Sequence, residues 1–417
     1  MFTLLDVLLR RIVQRGALTF TDAQGNAHHY GDGSGPPVAV RVTDKRLEWQ
    51  LVYDPQLGLG DGYMHGRLVM EQGRIYDLLE LVLSNARQHP QPAWTNGLDL
   101  ARYLIRRLAQ FNPTARAQRN VAHHYDINGA IYDLFLDRDR QYSCGYFFDK
   151  DTDLDAAQLA KKRHLAAKLA VEPGQRLLDI GSGWGGLGLY LAKIAHCDVT
   201  GVTLSNEQLK ISRERALKEG LGRAVRFEFK DYRKVVGSFD RVVSVGMFEH
   251  VGVNHYGTFF RKVRDLLADD GVALIHTIGR SEPPAVTNPF IAKYIFPGGY
   301  IPALSEMTAA IERSGLIISD VEILRLHYAE TLRAWRGRFL ANWDKAAEIL
   351  DETFCRMWEY YLAASETAFR YQNLVVFQVQ LVKRIESLPL TRDYIGGNER
   401  ELQGHEAVEA RPRMAGE

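Results

Sequence analysis

Three ionisable side chains stand where a reaction could be run. Glu249 and His250 lie in VGMFEHVGVNHY, which follows the apolar run 239–245, and His276 lies in LIHTIG, within the next apolar run at 272–278. If both runs are strands of one open α/β sheet, these residues come to its carboxyl edge, where such folds bind ligands. A carboxylate beside imidazoles supplies proton transfer and electrostatic stabilisation. One such residue at a strand end more often satisfies loop backbone, but three on one edge favour chemistry. Metal binding is the weaker reading, because HExxH spacing is missing and Cys144, Cys197 and Cys355 form no CxxC pair. No metal site is expected. The same cysteines, odd in number and widely spaced, argue against a disulfide framework and fit a reducing, cytosolic setting. Cys144 lies among aromatics in QYSCGYFF (141–148).

A ligand for that edge is suggested by LLDIGSGWGGLGLYLA. Gly181, Gly183 and Gly186 have GxGxxG spacing between a strand-like and a helix-like run, which would suit a dinucleotide pyrophosphate at a helix N-terminus. That reading needs an acid about 20 residues on to hold a ribose hydroxyl. The region there reads GVTLSNEQ, and its acid, Glu207, falls inside a capping box with Ser205 as N-cap and Gln208 three residues later. The nicotinamide or flavin reading is weakened without being excluded. The other reading begins at Asp179, which makes the motif DxGxGxG, the ligand loop of S-adenosylmethionine-dependent methyltransferases, where a compact glycine turn admits the methionine and ribose part of the cofactor. Asp231, after the run 225–229 in FKDYR, is placed to accept from an adenine amino group. Aspartates at strand ends also cap turns, but the loop and Asp231 together favour the methyltransferase.

The positioning elements follow from periodicity. Apolar runs at 176–180, 198–203, 225–229, 239–245 and 272–278 alternate with helix-like segments, the pattern of a parallel, doubly wound α/β sheet. LIISDVEIL (316–324) and LVVFQVQLV (374–382) bring it to seven strands. Upstream, PPVAVRVTDKRLEWQLVY (36–53) contains two alternating runs that read as strands, GLGDGYMHGRL reads as a glycine-rich turn and IYDLLELVLSN as a helix. Together these predict a small α+β domain over 1–95. A linker and basic amphipathic helix fill 96–120, a catalytic domain 121–395, and the tail 396–417, with little to bury, is expected to be disordered.

At 417 residues the chain exceeds one typical domain of about 150 residues. Lys plus Arg (52) balances Asp plus Glu (51), so charge gives no case for nucleic acid and none is expected as a partner. The opening MFTLLDVLLRRIV reads as an amphipathic helix rather than a signal peptide, since Asp6 interrupts the apolar run and Arg10 and Arg11 follow it. No run is long and apolar enough to span a bilayer. In the stretch 98–120, Leu100, Leu104 and Leu108 share a helical face with Arg102, Arg106 and Arg107 largely off it. That is an ordinary surface helix unless lipid is involved, when it suits an anionic surface.

Taken in order, GDGYMHG, HYD (124–126), QYSCGYF, LLDIGSGWGG, GVTLSNEQ, FEHVG, IHTIG, NPFIAKYIFPGGYIP, HYAETLRAW and AFRYQN resemble the cyclopropane fatty acid synthase family, over about residues 50–385. The resemblance implies a seven-stranded, doubly wound S-adenosylmethionine-dependent methyltransferase (Rossmann-like) sheet with a small N-terminal α+β domain. It implies transfer of a methylene group from S-adenosylmethionine to the cis double bond of unsaturated phospholipid acyl chains, giving cyclopropanes, with bound bicarbonate as the base. By the family's motifs the cofactor falls to Tyr142, Ser143, Asp179, Gly181, Gly183, Gly185, Thr203, Gln208, Asp231 and Tyr232, which accounts for the missing acid after the second strand. Bicarbonate falls to Cys144, Glu249, His276, the backbone of Ile278 and Tyr328, and catalysis to Glu249, His276, Tyr328 and Cys144.

A substrate inside a bilayer implies docking: a cytoplasmic protein peripherally associated with the inner face of the membrane through the N-terminal domain, the helix 100–111 and the segment 279–304, with a homodimer as one option for its assembly. Tyr146, Phe147, Phe290, Tyr294, Phe296 and Tyr300 are candidates to line an acyl channel, each equally readable as core. Ser365 stands where some members carry a cysteine before AFR. A fatty acid or amine methyltransferase without ring closure is the alternative, and a non-catalytic lipid-binding protein a third. The intact Cys144, Glu249, His276 and Tyr328 set favours ring closure, and the intact ligand loop favours an enzyme.

Overall fold

The computed structural model describes residues 2–86, 102 and 129–410. The basic helix expected at 100–111 and the HYD motif fall outside the described residues, apart from Arg102. Two compact units emerge, one from Met1–Ala109, Ala285–Gly299 and Tyr328–Leu374, the other from Gln110–Pro284, Tyr300–His327 and Val375–Glu417. They interleave along the chain, so a single boundary at residue 95 does not describe them.

In the first unit the helix Phe2–Ile12 buries Leu5 and Leu8, as its amphipathic pattern predicts. A four-stranded sheet follows from β1 (Ala17–Thr21), β2 (Ala27–Tyr30), β3 (Pro37–Val42) and β4 (Leu68–Gln72), in the order β2-β1-β3-β4. Alternation sends Leu18, Phe20, Val38, Val40 and Val42 inward. The second strand expected in 36–53 is instead the helix Lys45–Tyr53, capped by Asp44, whose side chain accepts from the amides of Arg46 and Leu47. Leu47, Trp49, Leu51 and Tyr53 mimic a strand alternation, yet Leu47 and Leu51 are also i and i+4 on one buried helical face, while Trp49 and Tyr53 are exposed.

The predicted glycine-rich turn is also helical, over Pro55–Met64. Its glycines serve close packing: a Cβ on Gly60 would lie 2.4 Å from Phe290 and 2.5 Å from Tyr360. The helix Ile75–Ala86 forms as predicted and packs on the helix Glu352–Tyr371, with Tyr371 donating to Glu80 at 2.6 Å.

The second unit holds the seven strands: β5 (Arg176–Ile180), β6 (Asp198–Thr203), β7 (Val225–Phe229), β8 (Phe239–Val245), β9 (Leu267–Arg280), β10 (Ile317–Leu324) and β11 (Leu374–Val382), in the order β10-β11-β9-β8-β5-β6-β7. Residues 271–277 of β9 are buried without a break, as befits a strand covered on both faces. Pairs β5/β6, β6/β7, β5/β8 and β8/β9 are parallel, but β10/β11 is antiparallel, so the sheet is mixed rather than wholly parallel. Strand order reverses between β5 and β8, the point where such sheets open a crevice.

The tail expected to be disordered is largely a helix, Asp393–Glu409. Its charges are paired rather than solvated: Glu406 accepts two bonds from Arg163 at 3.0 and 2.6 Å and one from Tyr190 at 2.7 Å, while Ile395 and Leu402 are buried. Among the described residues no helix is long and apolar enough to cross a membrane.

Candidate functional site

At the switch point the chain leaves β5 through Gly181 and Gly183 with φ of 86° and 54° and enters the helix Gly186–Ile194. Gly181 needs both its freedoms, since a Cβ there would lie 2.9 Å from Met247. The loop lines a cavity that encloses about 1200 Å³, open mouth included, together with Asp179, Thr203, Gln208, Asp231, Tyr232, Tyr142 and Ser143. Nine of the ten expected cofactor residues thus line one space. Gly185 does not. A Cβ there would meet Phe227 at 2.7 Å and Ser212 at 2.9 Å, so this glycine keeps the helix close to the sheet.

The polar groups of that lining differ in what they already hold. Ser205 caps its helix by accepting from the Gln208 amide at 3.3 Å. The reciprocal half of a capping box is absent, because Gln208 Oε1 accepts from the Thr203 hydroxyl at 3.0 Å. The Gln208 amide nitrogen is thereby aimed elsewhere. Asp231 accepts from the Arg233 amide at 2.9 Å and from its guanidinium at 2.8 and 2.6 Å. Burial would raise this carboxyl, but the Arg233 bonds win and hold it below the usual range. Asp179 has no such partner: its Oδ2 is buried without a hydrogen bond, and burial pushes it up to about 7, the charge of Lys161 offsetting only part.

Glu249 sits in the one-turn helix Phe248–His250 just past β8. Its Oε1 accepts from the Ile278 N–H at 2.7 Å, and its Oε2 is buried without a partner. Burial raises it to about 7 against the lowering effect of the Ile278 amide. His276, on β9, is paired in register with Val245, whose neighbours Gly246 and Met247 line the cavity. Its Nδ1 lies 3.3 Å from Gln378 Nε2 on β11. Gln378 can only donate there, which puts the ring proton on Nε2. Burial pushes His276 down to about 3 and His250, a cavity-lining residue, down to about 4. Both are neutral at ordinary pH.

Cys144 is buried and its thiol donates to the Gly145 carbonyl at 3.3 Å. It forms no disulfide, and neither do Cys197 and Cys355. Glu249, Ile278, His276 and Cys144 are not part of the cavity lining itself. Tyr328 belongs to the other compact unit, buried against Phe369 and edge-on to Trp335. Of the aromatics considered for an acyl channel, Phe290 packs on Tyr360 in the first unit and Tyr146 is stacked between His164 and His327 in the second, both structural roles.

Sequence reasoning missed Arg233, which the one-turn helix Tyr232–Lys234 folds back on Asp231, and also Gln158 and Lys161. These last two are buried on the helix Leu154–Lys168. A signal was present: Gln158 and Lys161 share a face with Leu154, Ala157 and Leu165, so polar groups stand on the core stripe.

Comparison with known proteins adds independent findings. A family model described as mycolic acid cyclopropane synthetase matches residues 112–379. The chain is 37% identical over 351 residues to the cyclopropane-fatty-acyl-phospholipid synthase of Escherichia coli (strain K12), covering 84% of this chain and 89% of the relative. It is 37% identical over 378 residues to a probable fatty acid methyltransferase of Pseudomonas putida, covering 87% and 92%. A crystal structure of mycolic acid cyclopropane synthase CmaA1 complexed with SAH and CTAB matches with a TM-score of 0.61 at 31% identity, covering 65% of this chain and 99% of that one.

Proposed function

Because this chain belongs to the mycolic acid cyclopropane synthetase family, we propose that it forms cyclopropane fatty acids, transferring a methylene group to the cis double bond of unsaturated phospholipid acyl chains with bicarbonate as the base. It is an S-adenosylmethionine-dependent methyltransferase. The cavity residues fit that cofactor: Asp179 Oδ2 is a buried acceptor without a partner, Gly181 leaves no room for a Cβ, and Gln208 keeps its amide nitrogen for a ligand. Tyr142, Ser143, Asp179, Gly181, Gly183, Thr203, Gln208, Asp231 and Tyr232 would hold it. When bound it supplies a methyl on a sulfonium, activated enough for attack by a weak nucleophile such as an alkene.

The observation that carries the reading is Glu249. A buried carboxyl poised near neutrality, with one oxygen fixed and the other uncommitted, suits a reaction that must hold an anion and move one proton as the ring closes. In its protonated form Glu249 Oε2 donates, and so does neutral His276 through Nε2. These two, with Cys144 and the Ile278 N–H, are the proposed bicarbonate ligands. The Ile278 N–H is already given to Glu249, so anion binding there requires Glu249 to yield it. A dry site matters because negative charge beside the developing cation acts more strongly without water.

Docking on the inner face of the membrane is supported by the helix Phe2–Ile12, which leaves Leu4 and Val7 more than half exposed near Arg10 and Arg11. A second reading, addition of a methyl without ring closure, is favoured by the equal identity to the Pseudomonas putida relative named a fatty acid methyltransferase. Incubation of the purified protein with S-adenosylmethionine and vesicles of unsaturated phospholipid separates the two. Cyclopropyl chains support the first, branched chains the second, and unmodified chains neither.

A further inference from the structure

The helix Leu154–Lys168 places behind the wall of the cofactor cavity a cation that the mechanism above leaves unused. Lys161 is 1% exposed, and its amine donates to Gln141 Oε1 at 2.5 Å and to the Ser143 hydroxyl oxygen at 2.8 Å. One turn earlier on the same helix, Gln158 donates to the Ser143 carbonyl at 2.8 Å and to the Gln141 carbonyl at 3.4 Å. Gln141, Tyr142 and Ser143 all line the cavity. Two side chains of one helix therefore clamp both the backbone and the hydroxyl of the segment that forms the cavity wall.

The charge on Lys161 is unusual for its setting. Among the described residues no carboxylate is hydrogen-bonded to its amine. Asp139 is committed to Lys162 at 2.5 Å and to Arg215, and Asp137 accepts from the backbone of Gln141 and Asp139. The charged and titratable groups that face Lys161 are Asp137 and Asp139 from the preceding loop, Cys144, its neighbour Lys162, Asp179 at the end of β5 and His276 on β9. Burial outweighs the attraction of the aspartates and brings the amine down to about 8.

We propose that Lys161 is a positioning residue that fixes the polarity of Ser143. An ammonium has only hydrogens to offer, so while Lys161 is charged the Ser143 oxygen must accept from it and its own hydrogen is turned outward. A hydroxyl that donates into the cavity matches the one anionic group of S-adenosylmethionine, its carboxylate. A neutral amine can accept, and Ser143 would then turn its hydrogen back to Lys161 and present a lone pair to the ligand. Raising the pH through the lysine's range should therefore weaken cofactor binding. The inference rests on Ser143 facing the cofactor.

The test is calorimetric binding of S-adenosylhomocysteine to the full chain as pH is raised from about 7 to about 9. The ligand's own amine titrates in every variant alike, so differences between variants isolate the protein's part. Wild-type affinity should fall about fivefold more than that of Ser143→Ala over this range, the worth of one hydrogen bond. Lys161→Arg, charged throughout, should lose the excess pH dependence, and Lys161→Met should bind weakly at every pH. If the lysine variants do not fold, the wild type and Ser143→Ala still decide. Parallel pH curves for these two, with binding intact, would overturn this inference alone. No binding by the wild type at any pH would overturn the cofactor reading and this inference with it.

Discussion

Asp179 and Asp231 line the same cavity in opposite electrical states. Asp231, past β7, is enclosed by its own Arg233 and held low, whereas Asp179, at the end of β5, has a buried oxygen without a hydrogen bond and is raised despite the charge of Lys161. Glu249, past β8, resembles Asp179 in this respect. The β7 side of the site is thus satisfied by the chain itself, and the β5 and β8 side is left incomplete. Buried polar groups without partners are costly. A fold that keeps two of them on one sheet edge is poised for something the ligand brings, and Asp231 contributes more by shape than by unmet hydrogen bonding.

The contrast can be broken most severely at Glu249. Glu249→Gln keeps the size and the bond from Ile278 but cannot titrate, and should cost on the order of a thousandfold in kcat, measured on lipid vesicles, with S-adenosylhomocysteine affinity nearly unchanged. Asp179→Asn should act the other way round. Removing a buried charge that meets the ligand should weaken cofactor binding by roughly 10- to 100-fold, read by calorimetry, with a smaller effect on kcat. Asp231→Asn should weaken it only about threefold, because Arg233 already satisfies much of that carboxylate. Cys144→Ser, which replaces a thiol that donates to the neighbouring carbonyl with a hydroxyl that can do the same, should keep activity within about tenfold of wild type.

Stability sharpens the same comparison. A carboxyl with a raised folded-state pKa is penalised only where it is ionised, so Asp179 costs nothing below its unfolded value and costs most above about 7. A carboxyl held low, as Asp231 is, contributes stability above its unfolded value that is lost as pH falls through its folded one. At neutral to mildly alkaline pH, Asp179→Asn should therefore raise the melting temperature of the ligand-free protein, and Asp231→Asn lower it, each by roughly 1 kcal/mol in stability. Shifts of the same sign in both variants would remove the distinction between the two sides of the site.

Where the structure followed the sequence and where it departed have identifiable causes. The seven strands and the glycine loop were legible because buried parallel strands read as apolar runs and a tight turn at Gly181 admits little else. The helix Lys45–Tyr53 was obscured because its leucines satisfy a period of two as well as the i, i+4 spacing, and the Asp44 cap decides between them. The helix Asp393–Glu409 was obscured by its charges, which look solvated until Arg163 and Tyr190 meet Glu406. Asp231 was legible as a site residue, but its pairing with Arg233 depends on a one-turn helix that no periodicity reveals. Lys161 shows the same limit: in sequence a buried lysine differs from a solvated one only by the face it shares.

The central claim is that this site closes a ring on an acyl chain and removes one proton in doing so. It is tested most directly by supplying S-adenosylmethionine with a fully deuterated methyl group and unsaturated phospholipid vesicles, then examining the acyl chains by mass spectrometry and proton NMR. The account predicts cyclopropyl chains that retain two of the three deuteriums, formed by the wild type and almost absent with Glu249→Gln. Acyl chains bearing an intact trideuteriomethyl branch and no ring, or chains left unmodified while the cofactor binds, would contradict it.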